Sequence, residues 1–140
     1  MTINQISVFL ENKSGRLAEL TKILFESGVN LRALTIADTA DFGIVRIVAE
    51  DNVKATEVLE KNHFIVKNTK VLGIEVADQP GGLYKIMELF RTNNVNIEYL
   101  YVSMKRNNDK AVVIFKVDDI NRGLEIVKEN SLVAVSGSDL

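Results

Sequence analysis

The chain has 140 residues, 46% of them hydrophobic, and carries a formal net charge of -2 with a pI near 5.5. This length suits one domain or two very small ones, and the charge provides no electrostatic surface for nucleic acid. Cysteine is absent, which excludes disulfides and thiolate metal sites. The longest apolar run is too short to cross a bilayer, and the N-terminus lacks a secretory signal. We therefore expect a cytoplasmic protein that binds neither nucleic acid nor membrane.

The first half predicts elements in the order βαββαβ. Alternation of apolar and polar residues indicates strands, and apolar spacings of three and four indicate helices. Gly28 stands where a helix C-terminal glycine is expected, and Asp51 where a helix N-cap is expected. The predicted elements are a strand at 6–10, a helix from 17 to 24, strands at 31–37 and 42–49 joined through 38–41, a helix from 51 through 59, and a strand at 64–66.

The second half repeats this order. The predicted elements are a strand at 71–76, a helix from 83 to 90, strands at 97–104 and 111–117, a helix through 124–127 capped by Asp118-Asp119, and a strand at 132–135. Right-handed crossovers turn this order into an α+β, ferredoxin-like module, an antiparallel-rich sheet with both helices on one face. We expect two modules, at residues 1–70 and 71–140, packed side by side because a half of this size would be marginally stable alone.

The strand at 42–49 has apolar residues on both faces. One face would carry Phe42, Ile44 and Val48, and the other Val45, Ile47 and Ala49. A sheet with one solvated face should alternate more cleanly. We therefore expect a continuous sheet whose helix-free face is covered by a second chain, in a homodimer. The alternative is that a few exposed apolar residues are ordinary.

A six-residue motif occurs twice, 66 positions apart. The two copies are Asn12-Lys13-Ser14-Gly15-Arg16-Leu17 and Asp78-Gln79-Pro80-Gly81-Gly82-Leu83. Each copy lies between a predicted strand and a predicted helix, and each helix is followed by Val-Asn, at 29–30 and 95–96. Further along the chain the offset grows to 68, with the slip in a predicted hairpin tip at 106–109, where insertions are tolerated. The two halves are therefore interpreted as a duplication.

These residues resemble the motif of the ACT-domain family. The second half matches throughout, with Asp78, Pro80, Gly81 and Leu83 followed by Val-Asn-Ile at 95–97, whereas Ser14 replaces the proline in the first half. The resemblance implies a tandem of ACT-like regulatory modules that bind a free amino acid between paired modules. In that family the ligand contacts the strand-to-helix turn of one module and strand residues of its neighbour. It also implies an allosteric effect on a partner enzyme in trans.

The same positions have the chemistry of a site for a zwitterion. Helix N-termini expose amides that suit a carboxylate, and glycines let a ligand approach the backbone closely. Asn12 or Asp78 can accept from an α-ammonium, and we expect Asn30 and Asn96 to complete a compact polar cluster. The candidate ligand-binding residues are Asn12, Lys13, Ser14, Gly15, Arg16, Leu17, Asn30, Leu31, Asp78, Gln79, Pro80, Gly81, Gly82, Leu83, Asn96 and Ile97. Pro80 and Gly82 should make the second turn tighter than the first, with fewer side-chain atoms around it.

Each feature also has a purely structural interpretation. Asn12 or Asp78 would only cap its helix, Pro80 would occupy a first helical turn, and the asparagines would only fix the helix-to-strand corner. For Arg16 the alternatives are a salt bridge to a ligand carboxylate and a position in solvent, of which we favour the second.

No arrangement of residues indicates catalysis. His63 is the single histidine and is expected to end a helix, and no Gly-Lys-Ser/Thr follows Gly81-Gly82, so this is not a phosphate loop. We expect no enzyme activity, no metal and no cofactor. Two other functions stay open: a ligand-free assembly module that uses its sheet edges, and a small ferredoxin-like enzyme.

Overall fold

The computed structural model describes residues 1–38 and 41–140, without the side chains of residues 38 and 105–107. The connection predicted through 38–41 therefore lies partly outside the described residues. The chain divides into two compact units. One unit consists of Asn4–Thr69, and the other of Met1–Ile3 together with Lys70–Leu140.

The unit of residues 4–69 has the predicted order of elements. They are β1 (Ile3–Glu11), α1 (Arg16–Glu26), β2 (Leu31–Asp38), β3 (Phe42–Ala49), α2 (Asn52–Lys61) and the start of β4 (Ile65–Ala77). Strand β3 is antiparallel to both β1 and β2, and β1 also pairs with β4. The resulting strand order, β4-β1-β3-β2, is that of a ferredoxin-like sandwich.

The second unit repeats this arrangement. After β4 come α3 (Gly82–Thr92), β5 (Ile97–Asn107), β6 (Lys110–Val117), α4 (Ile120–Glu129) and β7 (Ala134–Val135), and a 3-10 turn, Gly137–Asp139, follows. Strand β6 is antiparallel to β4 and β5, and β7 is antiparallel to β4. The order β7-β4-β6-β5 matches that of the first unit. The predicted fold class is thus confirmed in each unit.

Each unit has a hydrophobic core of its own between its helices and one face of its strands. In the first unit, alternate residues of β1 (Ile6, Val8 and Leu10) belong to one buried cluster with Leu20 and Leu24 of α1. In the second unit, the rings of Phe90 and Phe115 have centroids 5.7 Å apart in the equivalent cluster. The strand period of two and the helix period of 3.6 place these residues on the facing surfaces.

Strands β4 and β7 depart from the prediction. Separate strands were expected at 64–66 and 71–76, but β4 is continuous from Ile65 to Ala77. The polar run 67–70 contains neither glycine nor proline, so it can continue an extended backbone, and the boundary between the units falls within it. Strand β7 has two residues rather than the four expected.

The helix-free faces are covered unevenly. Val48 of β3 and Ile114 of β6 are buried within the single chain. Phe9 and Phe42, on the helix-free side of the first unit, are 45% and 56% exposed. The covering of this face by a second chain stays a prediction.

No helix in the described ranges 1–38 and 41–140 is long and apolar enough to span a bilayer.

Equivalent aspartates cap the second helix of each unit, as predicted for Asp51. The Lys54 amide donates to Asp51 Oδ1 and the Arg122 amide to Asp119 Oδ1, each over 3.0 Å. Asp118 has a different role, since its Oδ1 accepts from the Asn96 amide at 3.0 Å. The pair at 118–119 therefore fixes two adjacent segments of the backbone.

We expect Asp51→Ala and Asp119→Ala each to lower the free energy of unfolding by about 1 kcal/mol, because each removes the acceptor of a helix N-terminal amide. Asp51→Asn keeps an acceptor and should retain most of the stability. Urea denaturation followed by far-ultraviolet circular dichroism measures the differences. Alanine variants as stable as the unmodified chain would contradict this role.

Candidate functional site

The glycine of each motif is the N-cap of the helix that follows. Gly15 has φ 88° and ψ -16°, and Gly81 has φ 86° and ψ -8°, both in the left-handed region. Only glycine adopts this conformation without strain. The N-cap position is thus occupied by a glycine in both helices, and neither Asn12 nor Asp78 is the N-cap residue itself. Pro80 lies before the N-cap and not in the first helical turn.

Both turns are attached to the neighbouring hairpin in the same way. The first motif residue donates its amide to the hairpin tip, from Asn12 N to Asp41 O at 2.9 Å and from Asp78 N to Asp109 O at 3.3 Å. The acceptors are 68 positions apart and the donors 66, which agrees with a slip between the second and third strands of the repeat. The duplication therefore extends to individual hydrogen bonds.

Each turn leaves backbone donors at its surface. The Arg16 and Gly82 amides donate back into the turn, to Lys13 O at 3.4 Å and Gln79 O at 3.0 Å. The next two amides in each helix have no acceptor within the described part of the chain: those of Leu17, Ala18, Leu83 and Tyr84. Free amides at the positive end of a helix dipole suit a carboxylate.

Charged side chains occupy the first turn. The Arg16 guanidinium lies over the Phe64 ring, 4.9 Å from its centroid, and hydrogen-bonds Glu19 at 2.5 Å. Its side chain is 23% exposed, so the expectation that it lies in solvent is wrong. Lys13 pairs with Glu11 at 2.9 Å, and its hydrogen bond and charge lower the pKa of the Glu11 carboxyl. These contacts stabilise the turn itself.

The second turn is tighter and carries less side-chain bulk, as expected. Its closing hydrogen bond is 3.0 Å long, compared with 3.4 Å in the first turn. Gly82 is buried, and a Cβ atom at this position would overlap the carbonyl oxygen of Ala77. The absence of a side chain thus lets the start of α3 approach the end of β4.

A cavity of about 410 Å³ opens beside the second turn. It is lined by Val76, Ala77, Asp78, Gln79, Pro80, Leu83, Val102, Ala111 and Val113. Four of the candidate residues are therefore brought together here. The lining residues of β5 and β6 were not among the candidates, because their alternating pattern only marks them as strand residues. The attachment of the turn to the β5–β6 hairpin tip brings them beside it.

The two asparagines lie at the other end of their helices. Asn96 follows α3, whose eleven residues separate it from the glycine turn by roughly 16 Å at 1.5 Å per residue. The carbonyl of Asn30 accepts from the Glu50 amide and that of Asn96 from the Asp118 amide. The expected compact cluster therefore does not form within one half. The hydrogen bonds at these helix-to-strand corners use the backbone of the asparagines, so a structural role of their side chains stays a prediction.

The remaining candidates have core or local roles. Leu17 and Leu31 pack against the core of the first unit, and Ile97 against that of the second. His63 has φ 65° directly after the C-cap of α2, so it ends a helix as predicted. Within the described residues no group of three or more histidines, aspartates or glutamates is placed to hold a metal ion.

The duplicated fold and its turns have counterparts among known proteins. The family model of the ACT domain pair matches residues 1–140. The chain belongs to the ACT-domain pair family. The resemblance inferred from the two motifs is thus confirmed.

Individual proteins similar to this ACT-domain pair include a solved structure from Bacteroides thetaiotaomicron. It is 41% identical, with a TM-score of 0.93, over 99% of this chain and 95% of that one. The acetolactate synthase small subunit of Buchnera aphidicola subsp. Baizongia pistaciae is 27% identical over 119 residues, 83% of this chain and 73% of the relative. The regulatory subunit of aspartate kinase from Thermus thermophilus shares the fold at 15% identity, with a TM-score of 0.63 over 90% of this chain and 91% of that one.

We expect Gly82→Ala to lower the free energy of unfolding by about 1–3 kcal/mol, because the added methyl group must displace the Ala77 carbonyl or the start of α3. Gly137→Ala is the matched control, since a Cβ there meets nothing within 4 Å. Thermal and urea denaturation of both variants measure the effect. Equal stability of the two would show that the second turn has room for a side chain.

Proposed function

We propose that this ACT-domain pair is a regulatory protein that binds a free amino acid at its second glycine turn. The observation that carries the proposal is the set of free amides at the start of α3, beside an open cavity that also contains Asp78. The amides of Leu83 and Tyr84 would hold the α-carboxylate, and the Asp78 carboxylate would accept from the α-ammonium. The glycine at 81 keeps the backbone accessible to both.

The asparagine of the site would come from a neighbouring module. Within a unit, Asn96 lies roughly a helix length from the turn, so we expect the asparagine of the site to come from a module of a second chain. In such a site the ligand would contact two modules at once. Its binding could then depend on how those modules are arranged, as regulation requires. A ligand changes the packing of modules only if it binds one arrangement more tightly than another.

Similarity to a known small subunit favours a regulatory role over a catalytic one. The acetolactate synthase relative is named as a small subunit, and no nucleophile with an adjacent base stands out in the sequence. We propose that this chain acts in the cytoplasm as a homodimer and transmits amino-acid binding to a partner enzyme in trans. A ligand-free assembly module is the second candidate, favoured by the exposure of Phe9 and Phe42.

Calorimetric titration of the full chain with each of the twenty amino acids tests the proposal. We expect binding of at least one, weakened at least tenfold by Asp78→Asn, because a hydrogen bond to a charged group contributes about 1.5–3 kcal/mol. Glu60→Gln removes the same charge from an exposed position on α2 and should leave affinity unchanged. The absence of heat with every amino acid would favour the assembly module. Equal affinity of Asp78→Asn would place the site elsewhere.

We further expect Asn30→Ala or Asn96→Ala to abolish binding while leaving the unfolding transition unchanged. The hydrogen bonds that these residues make within their units use backbone atoms, which alanine retains. Titration and thermal unfolding of the same samples separate the two effects. Full binding by both variants would remove the asparagines from the site.

A further inference from the structure

We propose that the cavity at the second turn selects amino acids with neutral aliphatic side chains and that Val102 determines this selectivity. The inference rests on the proposed function, because it concerns the side chain of the ligand whose zwitterion the turn would hold. Its basis is the composition of the cavity wall and the difference between the two turns.

The cavity wall opposite the polar turn is aliphatic. Val76 and Val113 form its buried floor, with 5% and 4% exposure, and Leu83 and Val102 form its rim, with 40% and 52% exposure. Ala111 lies between them on β6, paired with Val76 of β4. A ligand side chain of aliphatic carbon would cover the rim and be removed from water itself, and apolar burial gives roughly 25 cal/mol per Å².

The described residues that line the cavity provide no cationic partner for a charged ligand side chain. Asp78 is the sole ionisable residue among the described residues that line it. The nearby Lys110 ammonium lies 3.5 Å from Glu75 and is therefore already paired. No lysine, arginine or histidine is among the described lining residues, so a second carboxylate on the ligand would have no cationic partner among them. A cationic side chain would lie against aliphatic carbon while Asp78 holds the α-ammonium, which carries a desolvation cost.

The first turn differs from the second at the positions that matter for this selectivity. Ala77 and Gln79 line the second cavity, and the corresponding residues of the first motif, 66 positions earlier, are Glu11 and Lys13. Those two side chains form an ion pair at 2.9 Å. The neutral wall is therefore a property of the second half, which makes the corresponding first-half positions suitable controls.

The test introduces a cation at the rim of each turn. Val102→Lys places an ammonium beside the proposed ligand side chain, and Ile36→Lys is the matched control at the corresponding position of the first half, 47% exposed. The unmodified full chain is titrated with each of the twenty amino acids, and both variants with L-valine, L-leucine, L-aspartate, L-glutamate and L-lysine. We expect the unmodified chain to bind valine or leucine at least tenfold more tightly than the charged amino acids. Val102→Lys should weaken aliphatic binding at least tenfold and strengthen that of aspartate or glutamate, and Ile36→Lys should change neither.

The outcomes separate this inference from the proposed function. Preference of the unmodified chain for a charged or aromatic amino acid overturns the aliphatic selectivity and leaves amino-acid binding intact. A loss of binding in Ile36→Lys with none in Val102→Lys assigns the ligand to the first turn and also overturns the inference. No binding of any of the twenty amino acids overturns both.

A second variant keeps the test valid if Val102→Lys fails to fold. Val102→Thr preserves the shape of the side chain and replaces one methyl group with a hydroxyl. It should weaken binding of valine and leucine severalfold, while the affinity for glycine, which has no side chain to contact the rim, stays unchanged. Undiminished aliphatic binding by Val102→Thr would show that position 102 does not contact the ligand.

Discussion

The left-handed glycine between the first strand and the first helix is the constraint on which each unit depends. Four residues connect β1 to α1 and β4 to α3, and within them Gly15 and Gly81 take φ values of 88° and 86°. This bend returns the helix to the sheet, so the apolar faces of both can form a core. The same bend leaves helix amides unpaired at the end of the sheet. Fold and proposed binding donors therefore arise from one backbone feature.

The two turns keep this backbone and differ in their side chains. In the first, Arg16 lies on the Phe64 ring and joins the start of α1 to the residue before β4. In the second, Gly82 has no side chain and lies against the Ala77 carbonyl. A duplicated scaffold allows such divergence because the hydrogen bonds that form the turn use backbone atoms, which remain when side chains change. One turn is thus stabilised by charged side chains, and the other is open beside an aliphatic cavity.

Features that depend on neighbouring residues could be predicted from the sequence. The alternation around Ile6, the helical spacing of Leu20 and Leu24 and the Asp51 cap all involve residues within four positions of one another. The glycine turns could be predicted for the same reason, and the duplication because the same short motif recurs 66 positions later. The break predicted between the strands at 64–66 and 71–76 is absent, because a polar run indicates exposure and does not by itself end an extended backbone.

The sequence by itself determined the order of elements, the two modules of one fold class, the family and the position of the two turns. Tertiary structure alone decided which distant side chains meet: Arg16 with Phe64, the turn at Gly81 with Val102 and Val113, and Asn96 a helix length away from that turn. The physical reason is that helix length and strand register set these distances. A repeat in the sequence shows which residues are equivalent, but it does not show which of them lie together.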